Sequence, residues 1–328
     1  MEQTFTTGLL QAVTAFNAFL WGAPMLILIV GISVYYTWKL KLIQRHLFHA
    51  IRLCTLKDRS AGVISNFGSL VIALAAMVGT GNIVGVAAAV STGGPGALFW
   101  MMLSAFLGMA TKYAEAVLAV QYRQKAPSGE YVGGPMYVLK NALNMKKTAA
   151  VFALATALMG FADALIQTNS LVDIYGSVYG VGAFTSASVL IVLTGAIILG
   201  GVKKIAAVCK GLVPFMAIVY IVLCVAVLAV HWQKIPWAFY TIFTSAFSGS
   251  ALLGGAVGIT VREAIRYGVS RGVLSNEAGS GSGAIAAAAA QTPNPVRQGL
   301  VSASTVFWDT LVICLLSGLA VIVAGNWQ

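Results

Sequence analysis

The residues best placed for chemistry are Val78-Gly79-Thr80-Gly81-Asn82-Ile83-Val84-Gly85. They lie near the middle of an apolar run from about Phe67 to Val90, long enough to cross a bilayer. Glycines weaken helix continuity there, and a buried asparagine amide needs hydrogen-bond partners. A helix broken at mid-membrane offers free N–H groups on one half and free C=O groups on the other. Those groups suit an anion and a cation, which is how many secondary transporters hold substrate and coupling ion. Gly81 and Gly85 also fit a small-residue packing seam, and Thr80 and Asn82 keep both readings open.

Other polar residues fall inside apolar segments. Lys112 and Glu115 share a helix face, and a local pair holding the bundle is the favoured reading over a transport role. Asp163, Gln167 and Ser170 form one stripe at i, i+4, i+7, which predicts a polar cavity facing the first break. The stretch Ser248 to Gly258 is a second glycine-interrupted span, and Gly254 and Gly255 become the expected reversed partner of Gly79–Asn82. Ser275-Asn276-Glu277-Ala278-Gly279-Ser280-Gly281-Ser282-Gly283 echoes the first motif. It reads as an inner loop or re-entrant element, because its direction would match that of the first. Asp309 lies deep enough in the last segment to want a partner.

The elements that must position these groups are helices in a bilayer. Of 328 residues, 59% are hydrophobic and 9% charged, with a mean hydropathy of +0.88. Soluble domains carry about 25% charged residues, so an all-α, polytopic membrane protein is expected. Eight apolar segments are predicted near residues 13–37, 66–91, 96–121, 149–176, 182–200, 211–231, 239–260 and 299–324. Sorting Lys and Arg by the intervening loops puts eighteen of twenty on one side, including Arg262, Arg266 and Arg271. The positive-inside rule makes that side cytoplasmic and the N-terminus external. The basic segment 40–60 is expected on the inner membrane surface.

This distribution explains the net charge of +11 as topology, with contact to anionic membrane lipid, and no nucleic-acid signature accompanies it. The N-terminus has no basic region before its apolar stretch, which argues against a cleaved signal peptide. The four scattered cysteines read as packing residues. His46 and His49 lack a third metal ligand in view. No nucleophile–base set, dinucleotide fingerprint or ATP-binding signature appears, so no enzyme is expected and an ion gradient is the visible energy source.

Several motifs in order resemble the alanine/glycine:cation symporter family. They are Gly79-Thr80-Gly81-Asn82-Ile83, Gly93-Gly94-Pro95-Gly96-Ala97-Leu98-Phe99-Trp100, Ala110-Thr111-Lys112-Tyr113-Ala114-Glu115, Gly133-Gly134-Pro135-Met136-Tyr137, Ser275-Asn276-Glu277-Ala278-Gly279 and Phe307-Trp308-Asp309-Thr310. The resemblance implies import of alanine or glycine with Na⁺, or H⁺ in some members, without any other cofactor. It implies a LeuT-like fold of paired inverted five-helix repeats preceded by one extra helix. The family's broken first core helix maps onto Gly79–Asn82, its pocket glutamine onto Gln167 and its loop amide onto Asn276.

On that basis residues 1–60 hold the extra helix and basic segment, 61–232 the first repeat and 233–328 part of the second. The substrate carboxylate is expected at Gly79, Thr80 and Gly81, where a half-helix N-terminus is partially positive. Its ammonium is expected at Gly254, Gly255 or Gln167. Sodium is expected at Thr80, Asn82 and the carbonyls near Met77 and Val78. Lys112, Glu115, Asp163, Glu277 and Asp309 are structural or gating candidates. Two departures from the family pattern stand out: Gly283–Ala290 is nearly all alanine, and the family continues for roughly three more helices beyond Gln328. The alternative expectation is therefore a truncated, non-transporting membrane protein derived from such a symporter.

Overall fold

The computed structural model describes residues 2–55, 65–127, 129–248, 260–290, 292, 294–325 and 327. Among these the chain is helical apart from one small antiparallel ribbon, β1 (Gln124–Lys125) with β2 (Tyr131–Val132). The central element is α6 (Gly96–Gln121), most of whose length is buried. Its two ends name the ends of the bundle below: the Gly96 end and the Arg123 end.

Before it come α1 (Glu2–Leu20), α2 (Ala23–Lys39), α3 (Leu47–Thr55), α4 (Asn66–Met77) and α5 (Val86–Gly93). Leu10–Lys39 is one apolar stretch long enough to cross a membrane. Its Asn17 and Trp21 lie beside residues 266–274, and Ile29 and Val30 lie beside Ser104 and Ala278. Helix α3 lies against the bundle. It packs its apolar face with Leu70, Met109 and Val301.

After α6 come α7 (Pro135–Asn141), α8 (Lys146–Tyr179), α9 (Ala183–Ile198) and α10 (Gly201–Val230). Helices α8 and α9 pack on each other, and α10 packs on α4 and on α15 (Leu315–Ala324). The Tyr220 hydroxyl of α10 sits 2.7 Å from that of Ser317 in α15. Then follow α11 (Ile235–Ser248), α12 (Val261–Asn276), α13 (Ser282–Ala288) and α14 (Pro295–Val306). A π-helical stretch, Phe307–Cys314, joins α14 to α15.

Close approach of α12 to α6 depends on missing side chains. A Cβ at Gly272 would stand 2.8 Å from Ser104 Oγ, and one at Gly268 would overlap the Ala97 carbonyl. Small residues at a helix seam let backbones meet where burying apolar surface offers little drive in lipid.

Two helical runs are interrupted, and they go in opposite directions. The first is α4 with α5, bent by 56° at Val78–Thr80. It starts at the Arg123 end, where Gln298 Nε2 donates to Ser69 Oγ at 2.8 Å, beside Gly299 against Tyr113 and Val117. It finishes at the Gly96 end. The second is α12 with α13. It starts at the Gly96 end, where Gly93 faces Glu263 and Tyr267. It finishes where Arg123 donates to the carbonyls of Ala288 and Ala290 at 3.0 and 2.9 Å.

This relocates the second break. The sequence reading crossed the membrane at 239–260 and made Ser275–Gly283 a loop. In the structure the described part of that segment, α11, has both ends at the Gly96 end. Lys234 just before it reaches the carbonyl of Val323 near the end of α15, and Ala246 takes the Trp100 indole N–H at 3.0 Å. Its Phe243 and Phe247 stack on Phe99. An apolar, aromatic helix of 14 residues lying across an end matches a span in composition alone. Gly254 and Gly255 lie outside the described residues. The element that runs from the Gly96 end to the Arg123 end is instead α12 with α13, and Arg262, Arg266 and Arg271 lower the hydropathy of α12. Its start was written locally: Thr260 Oγ1 accepts the Glu263 N–H, and Glu263 Oε2 accepts the Thr260 N–H at 2.9 Å, a capping box.

Candidate functional site: two opposed helix breaks

Helix α4 ends because Val78 turns to an extended conformation (φ −80°, ψ 102°), and the chain resumes as a π-helical turn, Gly81–Gly85. The exposed N–H groups are covered by side chains. Asn82 Oδ1 accepts the Gly79 N–H at 2.9 Å. Gln167 Oε1, from α8, accepts the Thr80 N–H at 3.1 Å and the Thr80 hydroxyl at 2.6 Å. A Cβ at Gly79 would stand 2.9 Å from Gln167 Nε2, so only glycine admits this side chain. An amide oxygen thus rests where a half-helix N-terminus favours an anion.

Asn82 then links this break to the second. Its Nδ2 donates to Asp309 Oδ1 at 2.7 Å and stands 3.2 Å from both Ser275 Oγ and Cys314 Sγ. Ser275 Oγ and Thr310 Oγ1 each donate to Asp309 Oδ2 at 2.7 Å. Asn276 Nδ2 donates to Thr310 Oγ1 at 3.3 Å, and Asn276 Oδ1 accepts the Ala278 N–H at 3.0 Å. Asn82, Asn276 and Asp309 are each no more than 1% exposed. Donors from Asn82, Ser275 and Thr310 offset the cost of burying this carboxyl group.

The second break is made by residues with left-handed backbone: Glu277 (φ +54°), Gly279 (φ +97°) and Gly281 (φ +79°). The carbonyls that end α12 are capped by a cation. Lys112 Nζ donates to Asn276 O at 3.0 Å and Glu277 O at 3.3 Å, and Lys112 is 2% exposed. A Cβ at Gly283 would stand 2.6 Å from that ammonium. Lys112 therefore spends its bonds on the break, where the sequence reading favoured a local pair with Glu115. Positive charge is favourable at a helix C-terminus.

Glu115 lies below, lining a cavity of about 350 Å³ with Gly279, Ser280, Gly281 and residues of α7 and α8. Glu277 accepts the Ser282 hydroxyl. Asp163 sits exposed on α8, one turn from Gln167 and apart from the buried network. Asn169 donates to Asp173 at 3.0 Å on the same helix. The structure thus gathers Gly79, Thr80, Asn82, Gln167, Asn276, Lys112 and Asp309 around the breaks. It adds Ser275, Thr310 and Cys314, which the sequence reading did not select. Ser275 and Thr310 adjoin selected residues in motifs already noted. Nothing local marked Cys314.

Opposed interrupted helices meeting at a buried polar centre, in a bundle of long apolar helices, define the class: a multi-pass membrane transporter. The model of the sodium:alanine symporter family matches residues 6–328, and the chain belongs to that family. A sodium/alanine symporter of Methanococcus maripaludis is 46% identical over 322 residues, covering 95% of this chain and 70% of that protein. An uncharacterized transporter of Haemophilus influenzae is 46% identical over 319 residues, with coverage of 96% and 70%. A putative sodium/proton-dependent alanine carrier of Bacillus subtilis is 40% identical over 319 residues, with coverage of 96% and 65%.

Proposed function

We propose that the protein binds a small neutral amino acid, alanine or glycine, together with Na⁺, and moves them inward by alternating access. The observation that carries this reading is the Asn82–Asp309–Ser275 network joining two antiparallel breaks. The opposed breaks also support a LeuT-like inverted-repeat fold, with residues 61–232 and 233–328 in different repeats.

The substrate carboxylate takes the N–H groups of Gly79–Gly81, displacing the Gln167 oxygen that rests there. Gln167 is then free to accept the substrate ammonium. Sodium takes hard oxygens. Asp309, Ser275, Thr310 and Asn82 supply them, with Thr80 and the carbonyls near Met77 and Val78 adjoining. The α12 carbonyls are excluded as an ion site by Lys112. Moving Arg262, Arg266 and Arg271 into a span leaves the Arg123 end with most of the remaining cations, which supports a cytoplasmic Arg123 end and an external N-terminus.

The test is thermal unfolding of the purified chain with alanine, with and without Na⁺, followed by uptake of labelled alanine into proteoliposomes. Stabilisation by alanine that requires Na⁺ is the expected result. A chain indifferent to both, while folded, would sink the proposal.

A further inference from the structure

Helix α12 carries three arginines that the network above does not use, and two of them share a cleft. Arg266 and Arg271 line a cleft of about 250 Å³ with Tyr267, Ser270, Trp21 and Asn17. At 1.5 Å per residue from Thr260, they lie about 9 and 16 Å along the helix. Neither guanidinium has a hydrogen-bonded or acidic partner among the described residues, and Arg266 only leans on the Tyr267 ring, 5.7 Å away. The nearest carboxylate on the helix, Glu263, is committed to the Thr260 cap. An arginine beside apolar, exposed side chains is costly without a counter-charge.

The surroundings identify that charge. The wall opposite is α1, whose Val13, Phe16 and Phe19 are exposed and apolar, and Leu274 beside the cleft is exposed as well. Trp21 adds an aromatic ring with a polar N–H edge to the cleft. Two guanidiniums near exposed apolar side chains match a phosphate carrying acyl chains. A guanidinium binds phosphate oxygens with two parallel N–H bonds.

We infer that the cleft between α1 and α12 binds the phosphate of an anionic phospholipid, held by Arg266 and Arg271, with acyl chains along α1. The site is separate from the Asn82–Asp309 network and does not depend on transport.

The test titrates the full chain in detergent with phosphatidylglycerol, phosphatidylcholine or inorganic phosphate, reading thermal unfolding and lipid retention by native mass spectrometry. Phosphatidylglycerol is expected to bind about tenfold more tightly than phosphatidylcholine, the order expected of one charge-assisted contact. Arg266→Gln/Arg271→Gln should remove that preference, with the Na⁺-dependent alanine response retained. Equal titration by the two lipids overturns the proposal. Inorganic phosphate alone reproducing the full stabilisation overturns it too, in favour of a free-anion site. The lipid comparison is made on the unmodified chain, so it decides even where the double variant fails to fold.

Discussion

Asp309 is the residue on which the two breaks converge. Asn82, Ser275 and Thr310 all donate to it, and it lies wholly inside the bundle. Asp309→Asn keeps the shape and removes the charge. It should abolish the dependence of alanine-induced stabilisation on Na⁺ while the chain still folds, as read by thermal unfolding against Na⁺ concentration. Unchanged Na⁺ dependence would remove Asp309 from the ion site. Lys112 is the complementary case. Lys112→Met uncovers the carbonyls of Asn276 and Glu277, and each buried group left unpaired costs about 1–3 kcal/mol. Loss of stability of that order is expected in denaturant unfolding. Because a tethered ammonium already fills the α12 carbonyl end, Na⁺ binding in the unmodified protein should titrate with a Hill coefficient near one.

At the scale of elements, the seam between α6 and α12 sets the geometry of the second break. Gly272→Ala drives a methyl against Ser104 Oγ and Met101, and overpacking of this kind costs about 1–3 kcal/mol. The expected outcome is a lower melting temperature with weakened alanine binding, partly recovered by Ser104→Gly. This seam also shows what a linear reading can see. The first break was legible because glycines and an asparagine interrupt an otherwise apolar run. Its echo at Gly279-Ser280-Gly281 was visible too, but its direction was misassigned: α11 counted as a crossing on hydropathy, and the arginines of α12 counted as loop. The contacts that correct this link residues far apart in the chain, such as Gly93 with Glu263 and Asn82 with Asp309. The roles of Gly79, Asn82 and Asp309 as polar groups wanting partners could be read from burial alone. Which partners they take could not.

For the whole molecule, the proposed alternating access would have the Arg123 end open. Many contacts at that end gather on one guanidinium. Arg123 donates to the carbonyls of Ala288, Ala290 and Thr292 and stacks 4.2 Å from the Tyr131 ring, tying α13 to α6 and to the β1–β2 ribbon. Pro135, at the start of α7, presses on Gly281 in the second break. Hydrogen bonds to a charged donor contribute about 1.5–3 kcal/mol each, so losing even one strongly weighted bond shifts a closed-to-open equilibrium roughly tenfold or more. Arg123→Ala should therefore expose the buried face of α13. A cysteine placed at Ala284, 1% exposed in the closed form, reports this by its rate of reaction with a membrane-permeant maleimide. Cys54, Cys224 and Cys314 are buried and Cys209 is half-buried, so the comparison is made with Cys209 replaced by serine. The Arg123 variant should label about tenfold faster, and saturating alanine with Na⁺ should change the rate only if the occupied site biases the same opening. An unchanged rate in Arg123→Ala would show that the α13 carbonyls are held by contacts other than this clamp, and would move the gate to the Pro135–Gly281 contact.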